Sequence, residues 1–155
     1  MTHPQYWLMK SEPSVFSIED LKKAPEQTAP WDGVRNYQAR NFMRQMQLGD
    51  LILFYHSNCD IPGIVGIAKV SRLVYPDFTA WDPLSHYYDP KSTPDNPRWD
   101  MVDVQFVKQF EKTLSLKSLY LHNELQDMPL VRKGNRLSVM PVTASQWDFI
   151  LNLCK

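Results

Sequence analysis

The sequence predicts an α+β fold, a small bent β-barrel of five or six strands with short helices packed around it, and three observations lead there. The chain has 155 residues, which is one ordinary domain's length and enough to bury a real core; residues 1–155 are accordingly read as a single domain. Its hydrophobic share of 43% and charged share of 22% are those of a globular protein, not of a disordered chain or a coiled coil. Strand-like segments dominate, with small helices inserted among them, which favours a curved sheet or barrel over a parallel α/β sheet. Closing such a barrel removes its edges and leaves a cavity at the mouth, where ligand sites form.

The elements follow in order. Tyr6 to Lys10 is a strand stopped by Pro13. Ser17, with Asp20 three residues on, opens a short helix to Lys23. Pro25 and Pro30 bracket a loop. Asn36 caps a helix reaching Met46, since Ala39, Phe42, Met43 and Met46 recur on one face. After a turn at Gly49-Asp50, Leu51 to Ser57 is a strand, and Ile64 to Val74 is another. Gly66 inside it marks a bulge or a close approach to the backbone. Tyr75 to Pro97 is a long, proline-rich ordered loop, of a length that compact domains keep for function. Met101 to Phe110 alternates as a half-buried strand, with Val102, Val104 and Phe106 on one face. Leu114 to Asp127 holds one or two helical turns, and Leu137 to Val142 is the last strand. Thr143 and Gln146 then cap a closing helix whose Trp147, Ile150, Leu151 and Cys154 make a core-facing stripe.

Charge and cysteine usage narrow the function classes. Seventeen basic residues balance seventeen acidic ones, so the whole-molecule field attracts neither nucleic acid nor anionic membrane, and any such contact needs a local patch. Cys59 and Cys154 stand in no CxxC pattern, which argues against a disulfide scaffold or a Cys-only zinc site and fits a reducing compartment. The apolar runs Tyr6–Met9 and Leu51–Tyr55 are too short for a signal peptide or a membrane span. A soluble, intracellular chain without a membrane partner is expected.

Catalytic patterns are missing. His3, His56, His86 and His122 form no HxxxH, HExxH or HxE…PCxxC arrangement, so no metal is expected. His56 and Ser57 are neighbours, but adjacent side chains of a strand point to opposite faces, and no GxSxG elbow exists. There is no GxxxxGK[ST] or GxGxxG phosphate loop, and no cofactor is expected. Asp77, Asp82 and Asp89 read as solvated loop acids.

The segment Trp31-Asp32-Gly33-Val34-Arg35-Asn36-Tyr37-Gln38-Ala39-Arg40-Asn41 stands apart. It gathers two aromatics, two arginines and three side-chain amides where a loop opens a helix. Arginines beside a helix N-terminus suit a phosphate; flat rings can stack on a base, and Asn or Gln can read its edge. The same residues are also compatible with a core Trp31 and ordinary surface ion pairs. Three polar clusters sit at strand ends, namely Lys10-Ser11-Glu12, Tyr55-His56-Ser57-Asn58 and the basic turn Arg132-Lys133-Gly134-Asn135-Arg136. Each is weak alone. A closed sheet would bring them to one mouth.

Tyr6-Trp7-Leu8-Met9-Lys10-Ser11-Glu12-Pro13, the Trp31–Arg40 segment, Phe54-Tyr55-His56-Ser57 and Leu137-Ser138-Val139-Met140-Pro141-Val142 together resemble the EVE domain family, over essentially the whole chain. The resemblance implies a PUA-like fold, related to YTH, ASCH and PUA domains. It also implies a non-catalytic module that binds nucleic acid carrying a modified base, chiefly modified cytosine in DNA, with RNA as a further target. An enzyme acting on a modified nucleotide, and a small-molecule module on the same fold, are the alternatives. Compact members of this kind are bacterial, which implies a cytoplasmic protein. On this reading the base is flipped into an aromatic pocket at the barrel mouth, with Trp31 as platform and Tyr37 or Tyr55 as the opposing wall. Ser11, Asn36, His56 and Ser57 are candidates for the base edge, and Lys10, Arg35, Arg40, Arg132, Lys133 and Arg136 for phosphates.

Overall fold

The computed structural model describes residues 5–154. Its elements are β1 (Tyr6–Ser11), α1 (Ile18–Lys23), β2 (Thr28–Pro30), α2 (Tyr37–Gln45), β3 (Leu51–His56), β4 (Gly63–Pro76), β5 (Asp100–Ser115), α3 (Leu116–Leu119), β6 (Val139–Val142) and α4 (Ala144–Leu153), joined in places by single 3-10 turns. His3, one of the four histidines considered above, lies outside the described residues, as do the outermost positions of the expected 1–155 domain.

The strands form one six-stranded mixed sheet in the order β2-β5-β4-β3-β1-β6. Only β1 and β3 run parallel; the other pairs are antiparallel. The fold is α+β and PUA-like, but the expected barrel does not close. Among the described residues β2 and β6 remain edges. Both are short, β6 carries Pro141, and α2 packs against both β6 and β5, so a helix covers the span a strand pair would have bridged.

Local chemistry accounts for the helices. Ser17 accepts from the Asp20 N–H at 3.1 Å while Asp20 accepts from the Ser17 N–H at 2.9 Å, a reciprocal capping box. Thr143 and Gln146 repeat it at α4, and Asn36 accepts from the Ala39 N–H at 2.9 Å to start α2. Hydrophobic residues fill both faces of the sheet. Trp7, Met9, Trp31, Phe54, Val102 and Val104 pack with α1 and α2 on one side. Leu8, Leu53, Tyr55, Ile64, Trp147 and Ile150 pack with α3 and α4 on the other. Alternation along β1 and β3 thus sends neighbours to opposite cores.

Three departures from the sequence reading matter. The Pro25–Pro30 loop contains β2, which pairs with β5 at Thr28–Gln105, Ala29–Val104 and Pro30–Asp103. β5 runs on to Ser115, taking in Leu114, and its register against β4 shifts repeatedly. One shift falls at Gly66, where a Cβ would run into the Ile18 side chain and the Lys108 carbonyl. Finally, the Leu137 strand begins only at Val139.

Candidate nucleic-acid interface

Parallel pairing of β1 with β3 sets Ser11 beside His56, so both strands release their polar ends on the same side of the sheet. The Ser57 N–H donates to the Ser11 carbonyl at 3.0 Å, and Asn58 Nδ2 donates to Glu12 Oε1 at 3.2 Å. From the other edge, the Lys10 N–H donates to the Ser138 carbonyl at 2.8 Å, which brings in the segment before β6. These ends wall a cavity of about 1220 Å³. Lys10, Ser11 and Glu12 line it from β1, Ser57 and Asn58 from β3, and Arg136 and Ser138 from the turn before β6. Phe16, the stretch from Ala29 to Val34, and His86 with Tyr87 from the long loop complete it. Small-molecule sites occupy about 300–1,000 Å³; this one has room for a nucleoside together with part of its backbone.

Trp31 is 6% exposed. Its ring meets Phe54 edge-on at 5.2 Å and Phe16 at 6.4 Å between centroids, so the indole is both core residue and cavity wall, held in one orientation. Tyr87, in the same cavity lining, lies on Gly33. A Cβ at Gly33 would come within 2.5 Å of the Tyr87 ring, and the glycine's φ of +81° is one that side chains rarely adopt. The loop carrying Tyr87 is fixed by Arg35. Its guanidinium bonds the Tyr87 carbonyl through Nε (3.1 Å) and Nη2 (2.7 Å), and Asp77 through Nη1 (3.0 Å). Bonds to Val34 O and Thr79 Oγ1 use its remaining N–H directions.

Asp77 is therefore not a solvated acid. It is fully buried, and it accepts from the Gly33 N–H, the Thr79 N–H and hydroxyl, and Arg35. Asp89 is likewise engaged, accepting from Trp99 Nε1 at 2.7 Å.

The cavity's charges are mixed. Burial holds the Lys10 ammonium below its ordinary value, and the ammonium sits 5.6 Å from the ring centroid of Tyr55, on the far face of the sheet from Trp31. Burial pushes the Asp32 carboxyl up, with the Asp77 charge adding to the effect. Tyr87 is pushed up as well, by burial first and Asp32 second.

The structure brings together Trp31, Lys10, Ser11, Ser57 and Arg136 from the sequence candidates. It places the others elsewhere. Tyr55 points into the opposite core at 2% exposure, where burial raises its phenol to about 12. His56 Nε2 accepts from the Ile18 N–H at 3.1 Å, so that nitrogen is spent on α1. Asn36 is spent as a helix cap. Tyr37 stacks on Trp99 at 4.8 Å, with the Arg40 guanidinium 4.7 Å from its ring centroid, outside the cavity. Arg40 also donates to the Arg98 carbonyl at 2.8 Å. Arg132 lines a separate hollow of about 260 Å³ with Gln38, Asn135 and Leu137, and Lys133 is exposed on the turn. Sequence reasoning missed His86 and Tyr87; an aromatic run inside a long, stiff loop was the available signal.

Among the described residues no group of three His, Cys, Asp or Glu is set to hold a metal, and no helix is long and apolar enough to cross a membrane. The profile of the EVE domain matches residues 5–153. The chain belongs to the EVE domain family. This EVE domain is similar to mouse thymocyte nuclear protein 1, with 49% identity over 96% of this chain and 73% of that protein. A solved protein from Pseudomonas syringae superimposes with a TM-score of 0.94 at 55% identity, covering 97% of this chain and 99% of that one. Human thymocyte nuclear protein 1, crystallised in complex with 5-methylcytosine-containing DNA, superimposes at 0.92 with 46% identity, covering 97% and 98%.

Proposed function

We propose that this EVE domain is a binding module, without catalysis, for DNA carrying a modified cytosine, and that the modified base enters the cavity between Trp31 and Tyr87. One observation carries the reading: the cavity of about 1220 Å³ opens beside the Trp31–Arg40 segment, in a fold shared with a human relative crystallised with 5-methylcytosine-containing DNA. A base inside a duplex must be extruded first, at a few kcal/mol. Stacking on an aromatic ring returns about 1–3 kcal/mol, and an indole already oriented by Phe16 and Phe54 loses little freedom in providing it. Ser57 and Ser138 supply hydroxyls toward the base edge, Ser11, whose hydroxyl donates to the Phe16 carbonyl at 2.6 Å, can only accept there, and Arg136 faces the backbone phosphates. Arg35 acts indirectly, by holding the loop that carries Tyr87.

The non-catalytic reading is supported by how the only strand-borne histidine among the described residues is used: His56 Nε2 accepts from Ile18 and is not turned on Ser57. An added methyl contributes about 0.8 kcal/mol of burial, roughly fourfold in affinity, so preference for 5-methylcytosine over cytosine is modest. Fluorescence anisotropy with single- and double-stranded oligonucleotides, DNA and RNA, bearing cytosine, modified cytosines or methylated adenine, tests the proposal. Tightest binding is expected for single-stranded DNA with one modified cytosine, where no unpairing is needed. Indifference to the modification and to the base would contradict it.

A further inference from the structure

Resting on that reading, we propose that Asp32 selects cytosine over thymine by accepting a hydrogen bond from the exocyclic amine of the bound base. Asp32 lines the cavity next to Trp31 and is half-buried there. Among the described residues its carboxylate makes no ion pair and takes no donor from another residue. Its neighbours are committed elsewhere: the Gly33 N–H and the Arg35 guanidinium both turn to Asp77. Beyond its own backbone N–H, the carboxylate keeps acceptor positions open to the cavity that a ligand's donor can take. Burial and Asp77 push this carboxyl up while its own backbone N–H and Arg35 pull it down, and a donor from the ligand would favour its charged form.

The chemistry of the missing donor is narrow. 5-Methylcytosine and thymine have almost the same shape. They differ at position 4, where one offers an amine and the other a carbonyl, and at N3, where one accepts and the other donates. A carboxylate accepts from the cytosine amine and repels the thymine carbonyl. Sites built around a buried hydrogen bond reject an analogue lacking the partner far more strongly than apolar pockets reject a missing methyl. Specificity for the base and preference for its methyl group thus arise from different atoms.

The test uses single-stranded oligonucleotides with one central 5-methylcytosine, thymine or 5-methylpyrimidin-2-one, the last keeping O2 and N3 but lacking the amine. The wild-type chain is expected to bind 5-methylcytosine at least about tenfold more tightly than either of the others. Asp32→Asn, whose amide can accept from an amine or turn over and donate to a carbonyl, and Asp32→Ala should both bring that ratio below roughly threefold. The pyrimidinone comparison needs no variant, so it decides the matter even if both substitutions impair folding. Equal wild-type affinity for 5-methylcytosine and the pyrimidinone, or an unchanged ratio in both folded variants, overturns the role of Asp32 while leaving the proposed function standing. Failure of the wild-type chain to bind any of the three removes both.

Discussion

Asp77 shows how much of the site depends on one side chain that never touches a ligand. Its two carboxylate oxygens receive the Gly33 N–H at 2.8 Å, Arg35 Nη1 at 3.0 Å and the Thr79 N–H at 2.9 Å, and they do so with the carboxylate fully buried. Removing one partner of a buried pair leaves the other charge uncompensated. Asp77→Ala should therefore cost about 3–5 kcal/mol in a urea or guanidinium melt and loosen the Gly33–Tyr87 wall. In the sequence this residue looked like any other loop acid, because its partners Gly33 and Arg35 belong to a distant segment and only the folded loop brings them together. His56 gives a second residue-level prediction. Burial holds its imidazole below the ordinary 6.5, against the opposing pull of Glu19 and Asp20. The unfolded chain therefore takes up this proton first as the pH falls below 6.5, so stability declines from there down through the folded-state value. His56→Gln, whose amide oxygen can still accept from Ile18, should lose that pH dependence in melts compared across this range.

At the level of elements, the helices were readable because their signals are local. Ser17 with Asp20, Asn36, and Thr143 with Gln146 all make the caps their spacing implies. Ser17→Ala should destabilise by about 1 kcal/mol, read as a shift in melting midpoint without a change in cooperativity. The sheet was harder to read. β2 has three residues and exists only because β5 offers it a partner, and no periodicity can declare itself over so short a run. Beyond Phe106 the alternation in β5 breaks down because the register against β4 shifts, which hid the strand's end from Glu111 to Ser115. Gly66 is the exception: its strand position already implied a close approach, and Ile18 and Lys108 make it. Gly66→Val should cost about 1–3 kcal/mol through overpacking and backbone shifts, seen in the same melts.

Across the whole molecule, the parallel β1–β3 pair does what the strand-end clusters hinted at. It brings Lys10, Ser11, Ser57 and, through the segment before β6, Arg136 to one opening. What sequence could not give was the side of each ring. Tyr37 and Tyr55 were equally plausible as the wall opposing Trp31, but strand alternation sends Tyr55 to the other core and Tyr37 stacks on Trp99. With seventeen charges of each sign, binding rests on a few phosphate contacts, so the log–log salt dependence for single strands should be shallow, near −0.7 for each phosphate neutralised. Arg136→Ala should weaken all oligonucleotides alike and flatten that slope by up to about 0.7. Trp31→Ala should instead erase the preference for the modified over the unmodified base.

The central claim is an occupied cavity. A crystal structure of this chain with a short single-stranded oligonucleotide carrying one 5-methylcytosine tests it most directly. The methylated pyrimidine is expected inside the cavity, its ring against the Trp31 indole and within reach of Tyr87. Density for the oligonucleotide along the Arg132–Lys133 turn or the Tyr37–Trp99 stack, with no base in the cavity, would contradict it.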